Sequence, residues 1–129
     1  MKFKEKYILK MEDGRDEPIE DLEHASRIIF VDKERVGAED ITFGFSKWDP
    51  NMSVHKKHFH ENAEEIMYIL SGRIMAGVKD QEFEAVKGDT IWVPRGAVHW
   101  VNNPFDEPCE FVFLYTRESL KSAGYKVVE

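Results

Sequence analysis

The chain has 129 residues, 42% of them hydrophobic, and its 25 acidic side chains outnumber 18 basic ones for a formal charge of −7. That size supports one core and no second domain of comparable size, so residues 1–129 are expected to form a single domain. The acidic balance argues against nucleic acid or an anionic membrane surface as a partner, and no apolar run approaches the length of a membrane span.

In chain order, the pattern predicts strands almost throughout. The basic start, Met1 to Lys6, leads into no signal-peptide apolar stretch, because Lys10, Glu12 and Asp13 interrupt it. Residues 4–10 alternate around Tyr7 and Leu9 and read as a first strand, followed by an irregular acidic surface segment over 11–24. Further strands are predicted at 27–31, 41–48, 53–57, 65–70, 73–78, 82–86, 90–93, 98–101 and 110–115, divided by Gly, Pro, Asn and Asp. Ser71-Gly72 reads as a two-residue hairpin turn. The one predicted helix is short, 117–123, with Thr116 as N-cap and Gly124 as its stop. The fold class is therefore all-β, a closed barrel or sandwich with at most one short C-terminal helix. A single Cys109 forbids an internal disulfide, fits a reducing compartment and implies a cytoplasmic location. It opens the apolar run 110–115, which suits a buried structural thiol.

The chemistry is concentrated between His58 and Asn103. His58 and His60 are two residues apart, so on an extended strand both side chains leave one face. Glu65 opens the next strand and shares a face with Met67 and Ile69, whereas Glu64 has the opposite parity. His99 follows the sharp turn Pro94-Arg95-Gly96, so a distant segment can meet the first three across a β interior. Three neutral imidazoles and one carboxylate suit a divalent first-row transition metal. His24 receives no role, and His55, three residues before His58, is expected to face away from the ligands.

These residues also carry a resemblance. His58, His60, Glu65 and Gly72, then Gly88, Pro94, Gly96, His99 and Asn103, match the two motifs of the cupins, and the chain resembles a small single-domain cupin. One departure is Met52, where the family has glycine. The adjoining Asn51 can adopt left-handed backbone angles and keep the turn. The resemblance implies a double-stranded β-helix, or jelly-roll barrel, with His58, His60, Glu65 and His99 as metal ligands. It also implies a homodimer formed through exchanged N-terminal strands and packed sheets.

The expected cofactor is a divalent ion, Mn, Fe, Ni, Zn, Co or Cu. With three neutral histidines and one carboxylate, the site would have a net charge of about +1. Two further positions on an octahedral ion would be open to a small-molecule ligand or substrate, such as a hydroxy acid, keto acid or enolate. The expected function is a metal-dependent enzyme acting on a small polar or anionic metabolite. It would be an oxygenase, or a lyase, isomerase or decarboxylase; a non-catalytic binding or sensing cupin is the alternative. Tyr115, Tyr68, His55 and Glu64 are the candidate general bases. Phe43, Phe45, Phe83, Trp92, Trp100, Phe111 and Phe113 are the pool for the cavity wall, and strand parity alone does not say which of them face in.

Overall fold

A computed structural model describes residues 7–19, 25–52 and 56–128. The strands are β1 (Arg15–Asp16), β2 (Ala25–Val31), β3 (Thr42–Trp48), β4 (His58–Phe59), β5 (Glu65–Ser71), β6 (Arg73–Val78), β7 (Gln81–Val86), β8 (Thr90–Val93), β9 (His99–Asn102), β10 (Cys109–Tyr115) and β11 (Lys126–Val127). They form two antiparallel sheets, a six-stranded one in the order β1-β2-β3-β10-β5-β8 and a five-stranded one in the order β11-β4-β9-β6-β7. This is the all-β jelly-roll barrel that the motifs imply. No helix among the described residues is long and apolar enough to cross a membrane.

Alternation builds the interior. In β5, Glu65, Met67 and Ile69 are buried while Ile66, Tyr68 and Leu70 are exposed, as period-two geometry requires. In β10 the inward set is Cys109, Phe111, Phe113 and Tyr115. Sealing side chains such as Ile69, Phe111 and Phe113 from water contributes roughly 1.5–3 kcal/mol each. Cys109 is wholly buried, and burial pushes its thiol up to about 12, so it packs and does not attack.

Several sequence expectations are corrected. Ser71-Gly72 is not a hairpin turn, because β5 and β6 belong to different sheets. It is the corner where the chain crosses between them. Gly72 has φ +73°, and a Cβ there would collide with the Pro108 carbonyl, so both backbone and space demand glycine. Residues 7–10 form no strand, and 4–6 lie outside the described residues. Residues 56 and 57 likewise form no strand, and 53–55, including His55, lie outside. The 11–24 segment contains a 3-10 turn, Met11–Asp13, and the short β1.

Two helical turns occur where at most one was expected. The first, α1 (Lys33–Val36), is closed by Asp32, whose carboxylate accepts the Arg35 N–H at 2.8 Å, and by Gly37 in the left-handed region. Asp at the N-cap and Gly after the last turn are the start and stop signals of this turn. The second, α2 (Leu120–Ala123), starts later than predicted, with Ser119 as its cap. Thr116 is used elsewhere: its hydroxyl accepts the Glu64 N–H at 2.9 Å and secures the entry into β5.

The outward face of the large sheet is apolar as well. Ile66, Tyr68, Leu70 and Trp92 are exposed on it, and half-buried Phe43, Val112 and Leu114 pair beside them. An antiparallel sheet with one face in water ordinarily presents polar side chains there.

Candidate metal centre

Four of the residues singled out from the sequence meet at one end of the barrel interior. His58 lies on β4, His99 opens β9 directly opposite it, and Glu65 opens β5 in the facing sheet. His60 sits just past β4. The ring centroids of His58 and His99 are 4.2 Å apart, and His60 stands 5.1 Å from each. His60, Glu65 and His99 are buried, and each histidine offers one nitrogen within 4.8 Å of the others.

The backbone sets the direction of all three rings. Nδ1 of His58 faces the Lys56 carbonyl at 2.8 Å, that of His60 the Gly124 carbonyl at 2.7 Å, and that of His99 the Ala97 carbonyl at 3.0 Å. A carbonyl only accepts, so each Nδ1 carries a proton and donates it. In the neutral tautomer each Nε2 then presents a lone pair, as in metal-ligating histidines whose other ring nitrogen donates to a backbone carbonyl.

Two of those lone pairs face an anion. Nε2 of His99 is 3.1 Å from Glu65 Oε1, and Nε2 of His60 is 3.5 Å from the same oxygen. The His60 Nε2 is buried without a hydrogen-bond partner. Acceptors facing one another in a buried site are unfavourable unless a cation lies between them. Two donors bonded at about 2.1 Å to one ion, at tetrahedral or octahedral angles, stand about 3.0–3.4 Å apart. The donor set and its spacing thus fit a divalent transition metal.

The electrostatics agree. Burial alone would raise the Glu65 carboxyl, but the adjoining His60 and His99 imidazoles outweigh it and hold the group well below the usual carboxylate range. Burial would lower His99, and its contact with Glu65 outweighs that and raises it. Burial, then the neighbouring His99, pushes His58 down to about 4. His58 is therefore a neutral donor at physiological pH, and the His99–Glu65 pair is where a proton would compete with a metal.

Glu64 points elsewhere, accepting the Trp92 indole N–H at 2.9 Å at the surface. Glu65→Gln is accordingly expected to weaken metal binding at least about tenfold, because it removes the one anionic donor. Glu64→Gln should leave binding near wild type. Metal titration of the two variants checks this, and the reverse order would place the wrong carboxylate in the site.

The ligands open into a cavity of about 350 Å³. Phe111 and Phe113 line it, whereas Phe43, Phe45, Phe83, Trp92 and Trp100 do not. Of the candidate bases, only Tyr115 faces the cavity among the described residues; Tyr68 is exposed on the opposite face of the sheet. Tyr115 lies with its ring 4.8 Å from His60. Burial, then the Glu65 charge, raises its hydroxyl well above the ordinary phenol range, so it keeps its proton and serves as a donor.

Sequence reasoning missed several lining residues. Gly124 and Tyr125 lie between α2 and β11; β11 pairs with β4, and the Gly124 carbonyl just before it orients His60. Trp48, Arg27 and Glu17 also line the cavity. Asn103 is not a ligand. It is wholly buried, and its amide donates to the Trp48, Asp49 and Glu107 carbonyls, tying the loop after β9 to the end of β3. Asn51 takes φ +61°, so the turn before Met52 uses asparagine where glycine is the family's choice.

Comparison with known proteins agrees with this architecture. The polyketide cyclase RemF from Streptomyces resistomycificus superposes with a TM-score of 0.76 at 21% identity, over 95% of this chain and 84% of RemF. Bacillus subtilis oxalate decarboxylase, a protein with Mn(II) centres, superposes at 0.72 and 24% identity, over 87% of this chain and 30% of that one. The tetracenomycin polyketide synthase protein TcmJ of Streptomyces glaucescens is 27% identical over 78 residues, 60% of this chain. The chain spans about half the length of the curated relatives it matches, 52% of TcmJ and 44% of an uncharacterized protein of Methanocaldococcus jannaschii. Residues 44–115, more than half of the chain, match the cupin domain. With the two-sheet barrel and the histidine cluster at its mouth, the chain belongs to the cupin family.

Proposed function

We propose that His58, His60, His99 and Glu65 hold one divalent transition-metal ion, and that the protein is a metal-dependent enzyme acting on a small polar or anionic metabolite. The observation that carries this reading is the set of three Nδ1–carbonyl contacts, which leave the Nε2 of each clustered histidine to bind an ion, two of them beside the same Glu65 oxygen. A bound ion would polarise the substrate oxygens it touched. The chain's own groups supply the rest. Phe111, Phe113 and Trp48 exclude water from one side of the cavity. Tyr115, protonated and buried beside Glu65 and His60, is placed to give a hydrogen bond or a proton to charge developing on a bound enolate or carbanion.

That placement supports Lewis-acid chemistry of the lyase, isomerase or decarboxylase kind ahead of oxygenation. Elemental analysis of protein purified without added metal tests the choice. Zinc, nickel, cobalt or manganese is the expected content, and iron or copper with oxygen consumption would favour the oxygenase class.

The same reading includes a homodimer through the apolar outer face of the large sheet. The outward positions Phe43, Phe45, Ile66, Tyr68, Leu70, Trp92, Val112 and Leu114 form an apolar patch on a chain whose formal charge is −7. The charges beside it, the cross-strand neighbours Lys47 and Glu110 and the Glu64 bonded to Trp92, stand at its margin, so two copies can meet over the patch itself. Four strands about 4.8 Å apart, each covered over about five residues, give a footprint of roughly 300 Å². That is less than half of the roughly 800 Å² per partner in a standard interface. Tyr7 and Ile8, 95% and 73% exposed, can supply part of the remainder. Light scattering at micromolar concentration should find a dimer, and Tyr68→Lys with Trp92→Lys should yield a monomer. A wild-type monomer would contradict the assignment.

A further inference from the structure

Arg27 lies on β2 and faces inward, paired with Ser46 of β3, whose own neighbour on β10 is the cavity residue Phe111. A guanidinium on the inner wall of a small cavity is costly unless something answers its charge. The contacts that Arg27 makes are two backbone carbonyls, Glu17 O to its Nε at 3.2 Å and Pro18 O to an Nη at 3.3 Å. Both are long and neutral. The Glu17 carboxylate, which lines the same cavity, is engaged by Arg15 at 3.2 Å. No carboxylate among the described residues pairs with Arg27.

Arg27 lines the same cavity as His58, His60, His99 and Glu65. In the register of the large sheet it aligns with Ser46 and Phe111, and Phe111 faces Ile69 where Tyr115 faces Glu65, so the guanidinium and the metal ligands occupy separate parts of one wall with apolar side chains between them. No carboxylate among the described residues neutralises it. The planar fork of arginine matches a carboxylate in two parallel hydrogen bonds, which a point charge such as lysine does not reproduce.

We propose that Arg27 anchors a carboxylate of the substrate, so that the ligand of this site is a small acid with two separated functions. One is an oxygen-donor end for the metal, of the 2-oxo or 2-hydroxy type, and the other is a remote carboxylate for Arg27. This deepens the metal-enzyme reading and rests on it. It makes Arg27 a specificity-determining residue, and it predicts discrimination against molecules of the same length that lack the second carboxylate.

The test is calorimetric binding to the metal-loaded protein and to the metal-stripped protein. The probes are 2-oxoglutarate and 2-oxoadipate, each beside the 2-oxo monoacid of equal chain length, 2-oxopentanoate and 2-oxohexanoate. At least one diacid should bind wild type about tenfold to a hundredfold more tightly than its monoacid partner, the range for a hydrogen-bonded charge. Arg27→Gln should erase that preference while leaving monoacid affinity and metal content unchanged, and Arg27→Lys should restore only part of it. Metal content also reports whether the variants keep the fold. Equal affinity for both diacids and their monoacid partners in wild type would overturn the proposal. So would a preference that survives in Arg27→Gln, or an equal loss of both kinds of acid in that variant. If diacids are preferred through Arg27 but bind equally well to metal-stripped protein, the anchor stands and the metal reading fails. If monoacids bind only with metal and the preference is absent, the metal reading stands and the anchor fails.

Discussion

Replacing His99 with Ala is expected to leave the protein nearly free of metal. His99 is the donor that brings the second segment of the chain to the site, and its Nε2 lies 3.1 Å from Glu65 Oε1. Its loss opens a gap beside a buried carboxylate and leaves His58, His60 and Glu65 to hold the ion. Loss of an outer-shell partner alone typically costs ten- to a hundredfold in metal affinity, so loss of a donor should exceed about a hundredfold. His24, which lies outside the described residues and has no place in the motifs, serves as the control, and His24→Ala should retain wild-type content. Elemental analysis of the purified variants decides this. Equal metal in wild type and His99→Ala would remove His99 from the ligand set.

The second large effect joins metal to stability and pH. An ion that binds the folded chain and not the unfolded one stabilises by mass action, by about 2.7 kcal/mol at a hundredfold excess over Kd. For a chain of this length that is on the order of 10 °C in the thermal midpoint. Chelation should lower the midpoint by about that much and leave a folded protein, because Ile69, Ile74, Phe111 and Phe113 are buried whether or not an ion is present.

The sign with pH follows from the ligands. Contact with Glu65 raises His99, so in the metal-free protein this nitrogen holds its proton to higher pH than an ordinary imidazole, and a metal must displace it. Below that raised pKa, each pH unit costs about tenfold in metal affinity. His58, depressed to about 4, does not add to this competition at pH 5. The difference between melts with and without chelator should therefore shrink from pH 7 to pH 5. A chelated protein that is unfolded at pH 7 would point to a structural metal. A difference that grows on acidification would reverse the linkage.

The sequence carried the site further than it carried the walls around it. His58 and His60 at a two-residue step, Glu65 at the start of an alternating strand and His99 after a Pro-x-Gly turn can be read because strand period and turn chemistry are local. The choice of Glu65 over Glu64 rests on parity with Met67 and Ile69 and on the six-residue step to Gly72, and Glu65 is buried while Glu64 lies against Trp92. Features that depend on the meeting of distant segments could not be read that way. The Gly124 carbonyl that orients His60 is 64 residues away and reaches it only because β11 closes onto β4. Ser71-Gly72 has the composition of a hairpin turn and acts as a corner, since partner choice belongs to the sheets and not to the turn. Arg27 sits inward on β2 with no carboxylate partner among the described residues, which strand alternation cannot reveal, because it depends on neighbours brought in from other segments.

The most direct measurement of the central claim is a titration of metal-stripped wild-type protein with Co(II) at pH 7, followed by absorbance and by proton release. The account predicts saturation at one ion per chain, proton release from the His99–Glu65 pair, and loss of both signals in His99→Ala. Binding that does not saturate at one equivalent, or that is unchanged in His99→Ala, would contradict a metal centre built from His58, His60, Glu65 and His99.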